Sequence, residues 1–335
     1  MGEGNFIVIT SIFHPTKAVE AFSGIPGHKL IVIGDNKTPK GWKCKNSLFY
    51  PIEAQKSSDY AIAKLLPENH YSRKMFGYVK AMEMGAELIV DTDDDNIPKP
   101  GWAFPPFSGN YLLSRQGLGF VNIYKHFTGM NIWPRGLPLA QIKNPKAALS
   151  EKELEKKPAK VGVWQALADG DPDVDAIYRL TKGDLCYFDK KEPVVLDSGT
   201  LSPFNSQNTA FAKDFFPLLY LPAFVTFRFT DILRGLVAQP IMWLYGYKLG
   251  FLGATVTQER NAHDYTKDFE SEIPCYLQAS KAADIVSKNI RRESSVCENL
   301  YSAYQALSKH EIVPEKELDL LSAWNKDVQS FGISK

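Results

Sequence analysis

The chain has 335 residues, 44% of them hydrophobic and 23% charged, with a formal net charge of +1. That is a globular composition with material for a sizeable core, and the balanced charge shows no basic stripe of the kind a nucleic-acid binder carries. The longest apolar stretch, residues 215–227, holds two prolines and is shorter than the roughly 20 residues a membrane span needs, so it reads as core or pocket lining.

In chain order, "NFIVIT" (5–10) is a short run rich in β-branched residues and reads as a buried strand. "PTKAVEAFSG" predicts a short helix ending near Gly24, and "KLIVIGD" (29–35) a second strand. Strand, helix and strand this close together make a βαβ unit with a parallel pair. "SSDYAIAKLL" (57–66) is expected to be a helix opened by Ser or Asp caps. In "SRKMFGYVKAMEMGA", Met75, Val79 and Met82 share one helical stripe, and Gly85 is placed to stop the helix. "ELIVDT" then gives another strand. The polar, lysine-rich residues from about 141 to 160 read as a surface excursion or lid. From about Cys275 onward the pattern is helical.

The stretch "IVDTDDDNIP" crowds Asp91, Asp93, Asp94 and Asp95 at the end of a predicted strand, where ligands of doubly wound sheets bind. Two like charges about 4 Å apart repel by roughly 1 kcal/mol in water and several times that near a protein surface. A divalent cation removes that repulsion, and oxygen-rich ligation suits Mg²⁺ or Mn²⁺, often completed by substrate phosphates. Asp91 faces the strand interior by alternation. Asp93 and Asp95 bracket the turn, one toward a ribose hydroxyl and the other toward the metal, with Asp94 holding an almost equal claim.

"ENHYSRKMFGYVKAMEMGAELIVDTDDDN", "NIWPRGLPL", "ADGDPDVDAIYRLT", "SPFNSQNTAF" and "FRFTDILRG" together resemble the STELLO-type glycosyltransferase-like family over about residues 5–265. The resemblance implies a GT-A fold: an α/β domain with a Rossmann-like mixed sheet flanked by helices and a DxD metal motif. On this reading the GT-A domain covers 1–272 and an α-helical appendage 273–335. Plant members carry a membrane anchor and a second domain. The sequence here enters an apolar run without a basic flank and shows neither, so a cytoplasmic location is expected and the plant partners are not carried over. The four scattered cysteines fit a reducing compartment.

The resemblance also implies roles. The donor is expected to be a nucleotide-diphosphate sugar, most simply UDP-linked, and the acceptor a glycan or small molecule. Thr10, Asp35, Arg73, Asp93 and Asp94 would contact the nucleotide, while Asp95, Asp93 and His263 would hold Mn²⁺ or Mg²⁺. Asp35 is equally suited to capping a turn. Arg73 opens a helix, where anions are favoured and its fork suits phosphate. Asp231 sits with Arg228 and Arg234 three residues to either side, the spacing of neighbours on a helix, and would take the acceptor proton, with Arg234 beside it as a catalytic group. An Asp held tightly by arginine is a weak base, which counts against that role. Trp133, Arg135, Asn208 and Arg228 would line the acceptor or sugar site. Asp173 and Asp175, in a loop without the Gly and terminal acid of an EF-hand, read as capping or acceptor-site groups.

Three other readings compete. A sugar nucleotidyltransferase would carry a glycine-rich loop after the first strand, whereas "TSIFHPTK" has no glycine. A D-x-D-x-T phosphatase would place its motif on the first strand. A catalytically silent nucleotide-binding scaffold would keep the same acidic cluster without turnover.

Overall fold

The structure, a computed structural model, describes residues 4–259 and 264–333. The first two apolar runs form β1 (Asn5–Thr10) and β2 (Lys29–Ile33), parallel to each other and joined by α1 (Lys17–Ser23). Thr16 caps α1 by accepting from the Val19 amide, and Gly24 ends it. β3 (Ser47–Tyr50) lies parallel to β2 and is followed by α2 (Ile52–Lys56). Ser57 therefore closes a helix instead of opening one. The helix expected over 57–66 is reduced to one 3₁₀ turn, Ile62–Lys64, because the Ala61 and Ile62 amides are captured by the distant Asp327 carboxylate at 2.9 Å each.

α3 (Lys74–Glu83) buries Met75, Val79 and Met82 as its stripe requires, and Gly85 leaves it at φ 79°, in the left-handed region that favours glycine. Gly77 lets this helix approach the sheet closely, since a Cβ there would come within 2.5 Å of Val8 Cγ1 and 2.9 Å of Ile33 Cγ1. β4 (Leu88–Thr92) follows, parallel to β1, and delivers the acidic turn at its carboxyl end.

The rest of the chain builds an antiparallel and mixed half from β5 (Asn96–Pro98), β6 (Ser108–Ser114), β7 (Gly119–Phe120), β8 (Leu154–Gly170), β9 (Val194–Leu196), β10 (Thr200–Leu201), β11 (Asn208–Ala212) and β12 (Lys248–Gln258). The order of the ten-stranded sheet is β3-β2-β1-β4-β11-β8-β6-β9-β12-β5, with β8 and β12 also paired, while β7 and β10 pair separately. The run of parallel pairs from β3 to β4 ends where β11 runs antiparallel to β4, and beyond it β8–β12 and β6–β9 are again parallel. Between these strands lie α4 (Tyr124–Phe127), α5 (Leu139–Ile142), α6 (Ala176–Thr181) and α7 (Thr230–Leu244). The fold class read from the sequence, a mixed α/β sheet flanked by helices, is the one observed.

Two expectations about the chain's layout change. The lysine-rich stretch is a loop with 3₁₀ turns only up to residue 153; from Leu154 it is the exposed first half of β8, paired with β6 as far as Lys160. The C-terminal helices, α8 (Tyr265–Lys288), α9 (Val296–Lys309) and α10 (Glu317–Ser330), share one core with the sheet: Ala279, Leu300 and Trp324 belong to the same buried cluster as Met75 and Ile89. A boundary between residues 272 and 273 falls inside α8, at the buried Glu272. Among the described residues, no helix is long and apolar enough to cross a membrane.

Candidate functional site

The four carboxylates after β4 occupy four different environments. Asp91 is wholly buried: its Oδ1 lies 2.7 Å from Lys74 Nζ and its Oδ2 2.6 Å from Arg234 Nη1. These two cations outweigh the cost of burial and hold its carboxyl below the usual range. Lys74, also wholly buried, donates to Thr92 O at 2.6 Å and to Asp93 Oδ1 at 2.8 Å. Tyr71 donates to the same Asp93 oxygen at 3.3 Å. Asp94 accepts from the Ser11 hydroxyl, and its carbonyl accepts from Thr16 Oγ1. Asp95 Oδ2 accepts from Gln258 Nε2 at 3.0 Å, and Gln258 in turn accepts from Gln207.

Burial, together with the charges of Asp95 and Asp91, pushes the Asp93 carboxyl up to about 7, against the pull of Lys74. Burial likewise raises Asp94 to about 6, with Ser11 opposing and Asp95 adding to the rise. Asp93 keeps 32% of its side-chain exposure, so water relieves part of that pressure. Asp93 and Asp95 are hard oxygen donors of the kind Mg²⁺ or Mn²⁺ takes. Among the described residues no group of three His, Cys, Asp or Glu side chains converges as a complete ligand set. His263, expected as a metal ligand, lies outside the described residues.

The turn opens into a cleft of two lobes that share Thr10, Tyr71, Asp94 and Phe227 as their common wall. Each lobe encloses about 210 Å³, so the cleft is bipartite, not one cavity with an annex. The first lobe is polar, with Asp93, Asp95 and Gln258 on one side and Arg135, Asp173 and Asp231 on the other. The second has Ile12, Phe13 and Ile33 as apolar walls and Asp35, Lys37 and His70 as polar ones. An apolar lobe with a few polar edges beside an acidic lobe suits a base and a charged group in tandem.

Arg135 organises the floor of the first lobe. It reaches Asp173 through Nε at 2.9 Å and Nη2 at 2.7 Å, and Asp231 through Nη1 at 3.0 Å and Nη2 at 2.9 Å. The Ser206 amide adds a bond to Asp231 at 3.3 Å. The pairing expected from the spacing of residues 228, 231 and 234 does not form. Arg228 lies on the 3₁₀ turn ahead of α7, where helical spacing does not hold, and it bonds Glu272 of α8 at 2.9 Å. Arg234 faces β4 and Asp91, is 2% exposed, and is not among the groups lining the cleft.

Other expected site residues also take different places. Trp133 is buried with its indole N–H donating to Asp175, which caps α6 through the Tyr178 amide. Asn208 is buried on β11, bonded to Thr255 and to the Trp102 indole. Arg73 is 1% exposed; its Nε donates to Gln55 at 2.7 Å and its Nη1 to Leu66 O at 3.0 Å, and it backs the second lobe. Burial lowers its pKa. Asp35 is at the second lobe, and it caps its turn by accepting from the Asn36 and His70 amides. Thr10, Asp93, Asp94, Asp95, Arg135, Arg228 and Asp231 are brought together in the first lobe. Sequence reasoning missed Lys74 as the partner of Asp91 and Asp93, and Tyr71 and Gln258 as lining; Asn205 and Gln207, whose amides could hydrogen-bond sugar hydroxyls, do line the first lobe. Lys74 was visible at the start of the helix preceding the acidic strand, but no spacing rule connects it to carboxylates seventeen and more residues later.

Comparison with known proteins gives this architecture relatives. The family model described as STELLO glycosyltransferases matches residues 228–334. Two Arabidopsis thaliana proteins, probable glycosyltransferases STELLO1 and STELLO2, are each 26% identical to the chain over 98% of its length. The chain is thus similar to the STELLO glycosyltransferases. The chain spans less than half of these STELLO relatives, 44% of one and 45% of the other. The likeness runs past residue 265 and through the C-terminal helices, further than the motifs suggested. Among solved structures, the chain is similar to a Mycobacterium tuberculosis glucosyl-3-phosphoglycerate synthase bound to phosphoglyceric acid, with a TM-score of 0.38, 10% identity, and coverage of 83% of this chain and 80% of that one. A second structure, described as a mycobacterial protein, has a TM-score of 0.38, 11% identity, and covers 84% of this chain and 74% of that one.

Proposed function

We propose that the chain is a metal-dependent glycosyltransferase of GT-A type that binds a nucleotide-diphosphate sugar, UDP-linked, and transfers the sugar to a hydroxyl of a glycan or small acceptor. The observation that carries this reading is the crowding of Asp93, Asp94 and Asp95 at the carboxyl end of β4, set between an apolar slot and a polar lobe. The similarity to proteins described as glycosyltransferases supports the same reading.

In this reading the second lobe takes the base between Ile12, Phe13 and Phe227, with Asp35 and His70 at its polar edge. Thr10 and Asp94 border both lobes and suit the ribose. Asp93 and Asp95 hold Mn²⁺ or Mg²⁺, which when bound stabilises the charge building on the leaving diphosphate. Gln258 orients Asp95, and Lys74 with Tyr71 orients Asp93. Arg135, Asp173, Asn205 and Asp231 form the floor against which sugar and acceptor hydroxyls pack.

One observation favours a second reading, a nucleotide-binding protein without turnover: both oxygens of Asp231 are engaged by Arg135, which leaves it poorly disposed to take a proton. Calorimetry with UDP and Mn²⁺, followed by a search for donor hydrolysis across UDP-sugars, separates the readings. Binding with hydrolysis supports the transferase; binding without any hydrolysis supports the silent protein; no binding of either ligand overturns both.

A further inference from the structure

Lys74 touches both the buried support of the acidic turn and its open edge. Its ammonium lies 2.7 Å from Asp91 Oδ1, 2.6 Å from Thr92 O and 2.8 Å from Asp93 Oδ1. The first two contacts are wholly buried, and Asp91 is fixed from its other side by Arg234. The Tyr71 ring covers the ammonium, with its centroid 4.9 Å away. Lys74 is therefore anchored from below, whatever occupies the cleft. Of the carboxylate and carbonyl groups it bonds, only that of Asp93, with 32% of its side chain exposed, lines the cleft.

We infer that Lys74 is a positioning residue that makes divalent-metal binding at the acidic turn depend on the nucleotide diphosphate. The inference rests on the reading of the cleft given under Proposed function. A fixed positive charge in hydrogen-bond contact with Asp93 occupies one of its oxygens and repels a second cation brought to the same carboxylate. A divalent ion arriving alone meets a carboxylate already partly neutralised. A diphosphate adds negative charge on the cleft side, outweighs the lysine, and brings further oxygen ligands. Metal and nucleotide then enter as a pair, and the apo turn stays ordered on Lys74 instead of on a loosely held ion. Arg234 belongs to the same buried alternation of charges but does not touch Asp93, so it serves as the comparison.

The test measures Mn²⁺ affinity by calorimetry and by the loss of free-ion paramagnetic signal, with and without UDP. Wild type is expected to bind Mn²⁺ at least about tenfold more tightly when UDP is present, and by linkage UDP gains the same factor from Mn²⁺. Lys74→Gln is expected to raise nucleotide-free Mn²⁺ affinity about tenfold and to shrink the coupling by a similar factor. Arg234→Gln loses a buried cation of the same cluster yet keeps the wild-type coupling. A merely structural role for Lys74 would weaken Mn²⁺ binding in both conditions. If glutamine prevents folding, Lys74→Met, which keeps the aliphatic stem, carries the same expectation. In the wild type, coupling should rise from uridine through UMP to UDP. The inference is overturned by unchanged or weaker nucleotide-free Mn²⁺ binding in the Lys74 variants, or by uridine promoting Mn²⁺ binding as well as UDP does. Wild type that binds neither UDP nor Mn²⁺ overturns the functional reading as well, so the two failures are told apart.

Discussion

Arg234 Nη1 sits 2.6 Å from Asp91 Oδ2, across 143 residues of sequence, and both side chains are almost wholly buried. The contact pins α7, whose first turn carries the cleft residue Asp231, to the strand that carries the acidic turn. Breaking a buried ion pair from one side leaves the other charge stranded. Arg234→Met is therefore expected to cost about 3–5 kcal/mol of stability, read as a lower urea midpoint. A loss below about 1 kcal/mol would mean that water already reaches the pair.

Asp95 differs because it faces the cleft and its neighbours repel it. Asp95→Ala is expected to leave the melting temperature of the ligand-free protein unchanged or slightly higher, while weakening joint UDP and Mn²⁺ binding by about a hundredfold or more. Calorimetry and a thermal melt on the same sample check both halves. Retained tight binding would remove Asp95 from the metal site.

The acidic turn also sets a pH dependence. The Asp93 carboxyl is raised to about 7 and Asp94 to about 6, both above the unfolded value near 4. A carboxyl whose folded pKa is raised favours the folded state fully below the unfolded pKa, and that contribution is lost as pH rises through the folded pKa. The ligand-free protein should thus lose melting temperature from this turn between about pH 4 and pH 7, and Asp93→Asn should flatten that slope. Affinity for Mn²⁺ with UDP should rise over the same window, because the ion competes with protons. A melting profile indifferent to Asp93→Asn would contradict the assignment.

Asp231→Asn tests the floor of the first lobe. The amide keeps part of the contact with Arg135 but leaves a buried guanidinium with less counter-charge beside Asp173. A loss of about 1–3 kcal/mol is expected, with UDP and Mn²⁺ affinity unchanged, since neither lobe's donor contacts are touched. Wherever donor turnover is found, the same variant decides whether Asp231 acts as a base. A fall of about a hundredfold or more in kcat assigns proton transfer to it, and a small change leaves it a floor residue.

Gly77→Ala tests how closely α3 must lie on the sheet. The added methyl meets Val8 and Ile33, both wholly or almost wholly buried, and a packed core yields little. The expected cost is about 1–3 kcal/mol, with reduced UDP affinity because α3 carries Lys74 beneath the turn. Unchanged stability and binding would show that the helix can shift away freely.

The sequence by itself determined the local and periodic features. The runs at 5–10, 29–35 and 87–92 read as strands from their β-branched and apolar residues, and strands form there. The stripe of Met75, Val79 and Met82 fixed a helix between them, and the order of these elements placed the acidic turn at a strand's carboxyl end. Those follow from short-range sterics and from the repeat of apolar residues, which act within a few positions. Only the tertiary structure decided which charges meet. Asp231 was expected to pair with residues three positions away, yet Arg135 reaches it from across 96 residues, while Arg234 turns to Asp91 and Arg228 to Glu272. Trp133, Asn208 and Arg73 looked like ligand contacts and became buried supports, because packing chose which face of each element is covered. Buried ion pairs are selected by the global arrangement of the layers, since a charge removed from water must find whichever opposite charge the fold brings near it, and sequence spacing carries no record of that choice.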